Sequence, residues 1–258
     1  MGTYAPNVYL VVGEKAAFID SGYSDDAAVE RRLEYLKEIA APAVEYILLT
    51  HSHPDHAGGA GKLKAALGAK VVTHPLERER ADSLFSAAVD MVVEEGETLS
   101  LKGVELEVIH TPGHSPGHIC VYARPTRLLF SGDHVLGLGT TAISASRGDM
   151  AQYMASLRKL QEWEISCICP GHGPLVRHPG RKLQELLQHR LEREQQVLDC
   201  LSRGKVTIAE MVQEIYPELD SRLYELALEQ VTAHLIKLER EGRVVSRQVA
   251  TGMVYALC

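Results

Sequence analysis

The sequence has no excess of basic residues: 27 Lys and Arg stand against 34 Asp and Glu, a formal net charge of −7. That balance excludes binding to a polyanion through the field of the whole protein, so any nucleic-acid contact has to be local. A disulfide framework is also missing. The five cysteines, Cys120, Cys167, Cys169, Cys200 and Cys258, are odd in number and irregular in spacing, which suits small buried thiols in a reducing compartment. Cys167 and Cys169 alternate inside one apolar run, which points both to the same side of a strand. The N-terminus, 1-MGTYAPNVYLVVGEK-15, has no basic start followed by an apolar stretch of signal length, and no segment approaches a membrane span. Internal repeats and low-complexity tracts are absent. The expectation is a cytoplasmic, soluble protein with no membrane partner, long enough at 258 residues for one medium domain and a small one.

What is present begins as a layered α/β pattern. Short β-rich runs at 8–13, 16–20, 44–50, 70–74, 104–110, 119–123, 127–132 and 165–171 each close on Gly, Pro, Asp or a change to polar residues. Helical spacing of apolar residues fills 25–40, 60–68 and 149–163. From about residue 180 the character changes. A long charged amphipathic helix over 180–204 precedes one over 207–217, opened by a Thr207 cap with Glu210 three residues on, and another over 221–242. The tail 243–258 reads as a strand, a Gly-containing turn and a second strand. The expected division is therefore residues 1–179 as a catalytic domain and 180–258 as a small winged-helix-like domain.

The chemistry is concentrated in 49-LTHSHPDHAGG-59, where His51, His53, Asp55 and His56 follow an apolar run. Clustered imidazoles repel one another once protonated, and this chain's own His and Asp frequencies make surface decoration a poor explanation. Alternating His51 and His53 can each turn a ring toward one metal ion, while Asp55 and His56 can turn toward a second. Such donors suit zinc, with iron or manganese as alternatives. Two ions need more than four ligands. The chain offers them at three further strand ends: His114 in 111-TPGHSPGH-118, Asp133 in 130-FSGDH-134 and His172 in 169-CPGHGP-174.

Taken together, 17-AFIDSG-22, 50-THSHPDHAGG-59, 111-TPGHSPGH-118, 131-SGD-133 and 170-PGHGP-174 resemble the metallo-β-lactamase superfamily, in order and over about residues 8 to 178. The resemblance implies an αββα sandwich with two zinc ions per chain in a cleft at its edge. It implies His51, His53 and His114 on one ion, Asp55, His56 and His172 on the other, and Asp133 bridging. The chemistry that follows is attack by a metal-bound hydroxide on a carbonyl carbon or a phosphorus. Asp55 is the expected catalytic residue, orienting the nucleophile and accepting its proton.

Within the superfamily, His53 stands where the flavodiiron branch has an acidic residue, which counts against redox chemistry. Only 38 residues lie between Asp133 and His172, too few for the insert of the DNA-repair and mRNA-processing nucleases. Across the whole chain, 133-DHVLGLGTT-141, 170-PGHGPLV-176, 188-QHRLEREQQVL-198 and 231-VTAHLIKLEREGRV-244 resemble the beta-lactamase-like protein 2 family of endoribonucleases, which implies single-stranded RNA as substrate. The alternative is a glyoxalase II-like thioesterase or lactonase acting on a small acyl substrate. A non-catalytic binding module, the third reading, has no use for seven ligands.

Other residues are less determined. Asp20, at a strand end, is expected to hold a ligand histidine from behind. His118 and His134, beside ligand motifs, invite a proton-donor role but read equally as supporting residues, and Arg177 and His178 could border the cleft. Residues 180–258 carry 11 Lys or Arg against 12 Asp or Glu, so covering the cleft wall or forming a homodimer suits that unit at least as well as nucleic-acid binding. The arginines of 190-RLEREQQ-196 are expected on a solvated helix face.

Overall fold

The computed structural model describes residues 5–250 and 252–258. Two five-stranded sheets lie between layers of helices. The first has the order β1 (Tyr9–Val12), β2 (Ala16–Ile19), β3 (Val44–Leu48), β4 (Lys70–Thr73) and β5 (Met91–Val92), parallel from β2 onward. The second runs β10 (Cys167–Pro170), β9 (Leu128–Gly132), β8 (Ile119–Arg124), β7 (Glu105–His110) and β6 (Thr98–Ser100), antiparallel except where β10 joins β9.

The period of two along a strand decides which layer each residue joins. Ala17, Ile19 and Leu48 face the second sheet, where they meet Leu106, Val108, Val121 and Phe130. Their neighbours Ala16, Phe18 and Ile47 face outward, against Val29 of α1 (Asp26–Glu38), Leu63 of α3 (Ala60–Leu67) and Ala81 of α4 (Pro75–Phe85). On the other side, Met154 and Leu157 of α5 (Met150–Gln161) cover the second sheet together with Leu183 and Leu186 of α6 (Pro179–Ser202). This is the αββα sandwich expected.

Four elements escape the sequence reading. The stretch 75-PLERERADSLF-85 has no apolar stripe, because its buried residues are Glu77 and Ala81; β5 and β6 are only two and three residues long. Pro54–Ala57, expected as part of a loop, is a one-turn helix, α2, with Pro54 at its first position.

The 24 residues of α6 join two cores. Its first half packs on α5, while Val197, Cys200 and Leu201 enter a separate cluster with Met211 and Val212 of α7 (Ile208–Ile215), Val231, Leu235 and Leu238 of α8 (Tyr224–Arg240), and Val244 and Tyr255. The Thr207–Glu210 capping box is formed in both directions. The antiparallel hairpin of β11 (Val244–Val249) and β12 (Gly252–Leu257) completes the winged-helix unit. Thr251 of the expected turn and the first four residues of the N-terminal stretch lie outside the described residues.

Strand direction places the site. In the first sheet β2 and β3 are parallel, so Asp20 and Thr50 emerge at one edge. In the second, β7, β9 and β10 share a direction because β8 is antiparallel to both β7 and β9. His114, Asp133 and His172 therefore leave that sheet at one end. Carboxyl ends of neighbouring strands are where loops from separate parts of a chain converge.

Candidate metal centre

All seven expected ligand residues come together. His51, His53, His114 and Asp133 offer ligand atoms that lie within 4.8 Å of one another, and Asp55, His56 and His172 form a second such group. His53 Nδ1 stands 3.0 Å from both His51 Nε2 and His114 Nε2. In the second group His56 Nε2 is 3.3 Å from His172 Nε2, and Asp55 Oδ2 is 3.1 Å from the latter. Asp133 faces both groups: Oδ1 lies 3.3 Å from His56 Nε2 and 3.5 Å from His172 Nε2, while Oδ2 lies 3.8 Å from His114 Nε2.

Three of the rings, His51, His56 and His114, are aimed by a partner behind them. His56 Nδ1 donates to Asp20 Oδ2 at 2.7 Å, the role expected of Asp20. Asp20 also accepts from the Thr50 amide at 2.7 Å and from the Thr50 hydroxyl at 3.0 Å. That hydroxyl in turn faces His51 Nδ1 at 3.0 Å, so one carboxylate orients a ring in each group. His114 Nδ1 donates to the Ala142 carbonyl at 2.9 Å. These hydrogen bonds hold a proton on the outer nitrogens of His51, His56 and His114 and turn their inner nitrogens toward the ligand groups. Asp133 Oδ1, buried, has no well-aligned donor among the described residues. Ligand atoms crowded in this way suit divalent cations, and the nitrogen and carboxylate donors fit zinc or iron.

The electrostatics agree. Burial pushes the Asp133 carboxyl up, but His56, His114 and His172 outweigh it and hold the group well below the usual carboxylate range. Asp55 is likewise lowered, burial opposing and the His172 and His56 rings prevailing. Burial lowers His51, and His53 to about 4, with neighbouring imidazoles adding to the effect. His56 goes the other way: burial lowers it, yet Asp133 and Asp20 raise it well above the ordinary value.

The two proton-donor candidates are not placed for that role. His118 is fully buried, and both ring nitrogens are used: Nδ1 lies 2.8 Å from Thr111 Oγ1, and Nε2 accepts from the Asp133 amide at 3.2 Å. It holds the Asp133 backbone. His134 is also fully buried, lowered to about 3 by that burial, and packs 4.7 Å from the Tyr153 ring. Arg177 and His178 are exposed, His178 at the start of α6.

Several supporting residues gave no sequence signal. Glu77 on α4 is fully buried and accepts from the Ser52 amide at 3.1 Å, the Ser52 hydroxyl and the Gly117 amide at 3.0 Å. It thereby ties the His51–His56 segment to the His114 loop. Asn7 Nδ2 donates to the carbonyls of Pro170 and Gly173, at 2.9 and 2.8 Å, fixing the turn that presents His172. Two glycines allow the close approach of these loops. A Cβ on Gly132 would lie 2.6 Å from Thr50 Oγ1, and one on Gly171 would lie 2.7 Å from Asp133 Oδ1. The Gly that precedes each of these ligands in sequence was the legible trace of that crowding.

Arg190 corrects one expectation. It does not sit on a solvated face but is 2% exposed, inside the junction of α6, α8 and the loop after β9. Helical periodicity placed it with the charged residues around it, and only the contact of α6 with the sandwich buries it.

Known proteins share this arrangement. A family model described as the metallo-beta-lactamase superfamily matches residues 1–172, and one described as the beta-lactamase associated winged helix domain matches residues 207–250. A Caenorhabditis elegans protein named beta-lactamase-like protein 2 homolog is 30% identical over 245 residues, 92% of this chain and 80% of that protein. A Paecilomyces divaricatus protein named atrochrysone carboxyl ACP thioesterase AgnL7 is 29% identical over 256 residues, 93% of this chain and 76% of that one. The crystal structure of metallo-beta-lactamase family protein TTHA1429 from Thermus thermophilus superposes with a TM-score of 0.80 at 24% identity, covering 98% of this chain and 94% of that chain. TTHA1623, solved in a di-iron-bound form, is 33% identical with a TM-score of 0.56, over 74% of this chain and 95% of that chain. The chain belongs to the metallo-β-lactamase superfamily of metal-dependent hydrolases, with a beta-lactamase-associated winged helix following the catalytic fold.

Proposed function

We propose that this protein is a cytoplasmic dinuclear zinc hydrolase that cleaves phosphodiester bonds in single-stranded RNA. The observation that carries the metal chemistry is the meeting of seven ligand-type side chains in two groups with Asp133 between them. His51, His53 and His114 would hold one ion, Asp55, His56 and His172 the other, and Asp133, which faces both groups, would be shared between them. Two divalent ions held there supply a water acidified to a pKa of about 7 and a Lewis acid for the reacting ester.

The protein's own part is positioning and proton transfer. Asp20, Thr50 and Ala142 hold the ring nitrogens in one tautomer, so no reorganisation is needed when substrate arrives. Asp55 is ionised and 22% exposed in its side chain, the form and access needed to orient the attacking water and accept its proton. A cavity of about 490 Å³ opens beside the His114 loop, bounded by Gly113 and Pro116 and lined by Arg147, Ser146, Gln152 and the ion pair of Arg240 with Asp149. RNA as substrate is supported by the resemblance of the motifs to the beta-lactamase-like protein 2 family of endoribonucleases, and a protein named as a homolog of that family is similar over 92% of this chain. Five free thiols support the cytoplasmic address. Among the described residues no helix is long and apolar enough to cross a membrane.

The second reading, a thioesterase or lactonase acting on a small acyl substrate, is favoured by the similarity to an ACP thioesterase over 93% of the chain. Iron or manganese in place of zinc, and a homodimer, belong to the same set of proposals. Wild type and Asp133→Ala would be assayed in parallel on single-stranded RNA, S-lactoylglutathione, a homoserine lactone and an acyl carrier thioester. Turnover of RNA by wild type alone supports the first reading. Turnover of acyl substrates only would replace it with the second.

A further inference from the structure

The loop between β9 and α5 begins with Asp133 and passes behind His114, and its middle is held residue by residue from outside the sandwich. The Ala142 carbonyl accepts from His114 Nδ1, which leaves His114 Nε2 as the nitrogen that faces His53. One residue earlier, the Thr141 carbonyl accepts from Arg190 Nη2 at 2.5 Å, while the Thr141 hydroxyl donates to the Asp133 carbonyl. One residue later, the Ile143 carbonyl accepts from Gln230 Nε2 at 3.0 Å. The Ser144 hydroxyl and the Ala145 amide both donate to Glu229, at 3.0 and 2.7 Å. Arg190 Nη1 donates to Gln230 Oε1 at 3.1 Å, which joins α6 and α8 into one support.

Arg190 is the centre of this arrangement. Its guanidinium lies 5.1 Å from the centroid of Tyr153, whose hydroxyl donates to the His134 carbonyl at 3.2 Å. Among the described residues no carboxylate forms an ion pair with it; its partners are a carbonyl, an amide oxygen and an aromatic face. A buried cation without a counter-ion is costly, and an apolar side chain of similar volume would fill the space at less cost. What only the fork of arginine supplies is two fixed donors in one plane, here directed to Thr141 and Gln230.

We infer that Arg190 is a positioning residue for the His51, His53, His114 and Asp133 group, through which the C-terminal helices hold the loop that aims His114 and Asp133. The α6–α8 unit is then part of the metal site's support and not a separable appendage. This inference rests on the metal-binding reading above and goes beyond it, because it assigns the second domain a role in metal affinity.

The test uses the full-length protein, zinc and cobalt(II). Stepwise binding is measured by calorimetry and by the visible absorption of the cobalt form, and His56→Ala identifies the step that belongs to the first group. Arg190→Met and Gln230→Leu are expected to weaken that step 10-fold or more and to alter its cobalt absorption, with a smaller effect on the other step, which shares Asp133. Arg190→Lys, which keeps one donor, should recover part of the affinity. Arg190→Met or Gln230→Leu that folds and binds both equivalents with wild-type affinity and absorption overturns the inference. Should Arg190→Met fail to fold, Gln230→Leu, which removes the acceptor of Arg190 Nη1 and the donor to the Ile143 carbonyl, decides in its place. If the wild type takes up no metal, the metal-centre reading falls instead, so the two failures are distinct.

Discussion

Asp20 Oδ2 and His56 Nδ1 are 2.7 Å apart with both side chains buried, and the same carboxylate reaches His51 through the Thr50 hydroxyl. Asp20 adopts φ 63°, a left-handed conformation uncommon outside Gly and Asn or Asp. That turn is what brings its carboxylate under the two ligand strands. Replacement by Asn keeps the shape and removes the strong acceptor. Asp20→Asn should lower affinity for the ion at Asp55, His56 and His172 by about 10–100-fold. Calorimetric titration with zinc measures it, and an unchanged isotherm would show that the hydrogen bond does not tune the site.

Glu77 joins the two ligand loops from a position with no solvent exposure. Glu77→Ala strands the Ser52 and Gly117 amides without their acceptor, a loss of about 2–4 kcal/mol in unfolding free energy. Urea denaturation of the metal-free protein reads this directly. A change below about 1 kcal/mol would mean that the loops are held elsewhere.

Metal removal should destabilise the fold as well as stop catalysis. Any ligand bound only by the native state adds RT ln(1 + [L]/Kd), about 2.7 kcal/mol at 100 times Kd. Chelation is expected to lower Tm by several degrees, and added zinc to restore it. A Tm indifferent to chelator would contradict the site.

His234 on α8 is 1% exposed, and neither ring nitrogen has a hydrogen-bond partner among the described residues. Burial lowers it from the ordinary 6.5 to about 3, and Arg190, Lys237, His189 and Arg193 add to the effect. The native state therefore refuses a proton that the unfolded chain accepts below 6.5. Stability falls as pH drops from that value toward 3, by about 1.4 kcal/mol one pH unit below 6.5. His234→Leu should flatten this part of the stability profile measured by thermal melts between pH 7 and pH 5. An unaltered slope would assign the acid sensitivity to other groups.

The sandwich was legible because its signals are local. Largely continuous apolar runs in 16-AAFI-19 and 44-VEYIL-48 mark strands with both faces covered, and Gly or Pro before Asp133 and His172 marks the turns that present them. The Thr207–Glu210 capping box is likewise written in four consecutive residues. Glu77 was illegible because 75-PLERERADSLF-85 has the composition of a solvated helix, and its one functional carboxylate is distinguished only by what it touches. Asn7, 165 residues from His172 in sequence, steadies the turn around it through Pro170 and Gly173.

Sequence alone determined which side chains can hold metal and that they stand at strand ends, since donor chemistry and the period of a strand are properties of short stretches. It also set the change from an α/β pattern to charged helices near residue 180. Only the tertiary structure decided how those donors share two groups with Asp133 between them, because that depends on two sheets delivering their strand ends to one edge. The same holds for Arg190: in its helix it is one charged residue among many, and it becomes a buried clamp only when α6 is laid against the loop that carries Asp133 and steadies His114.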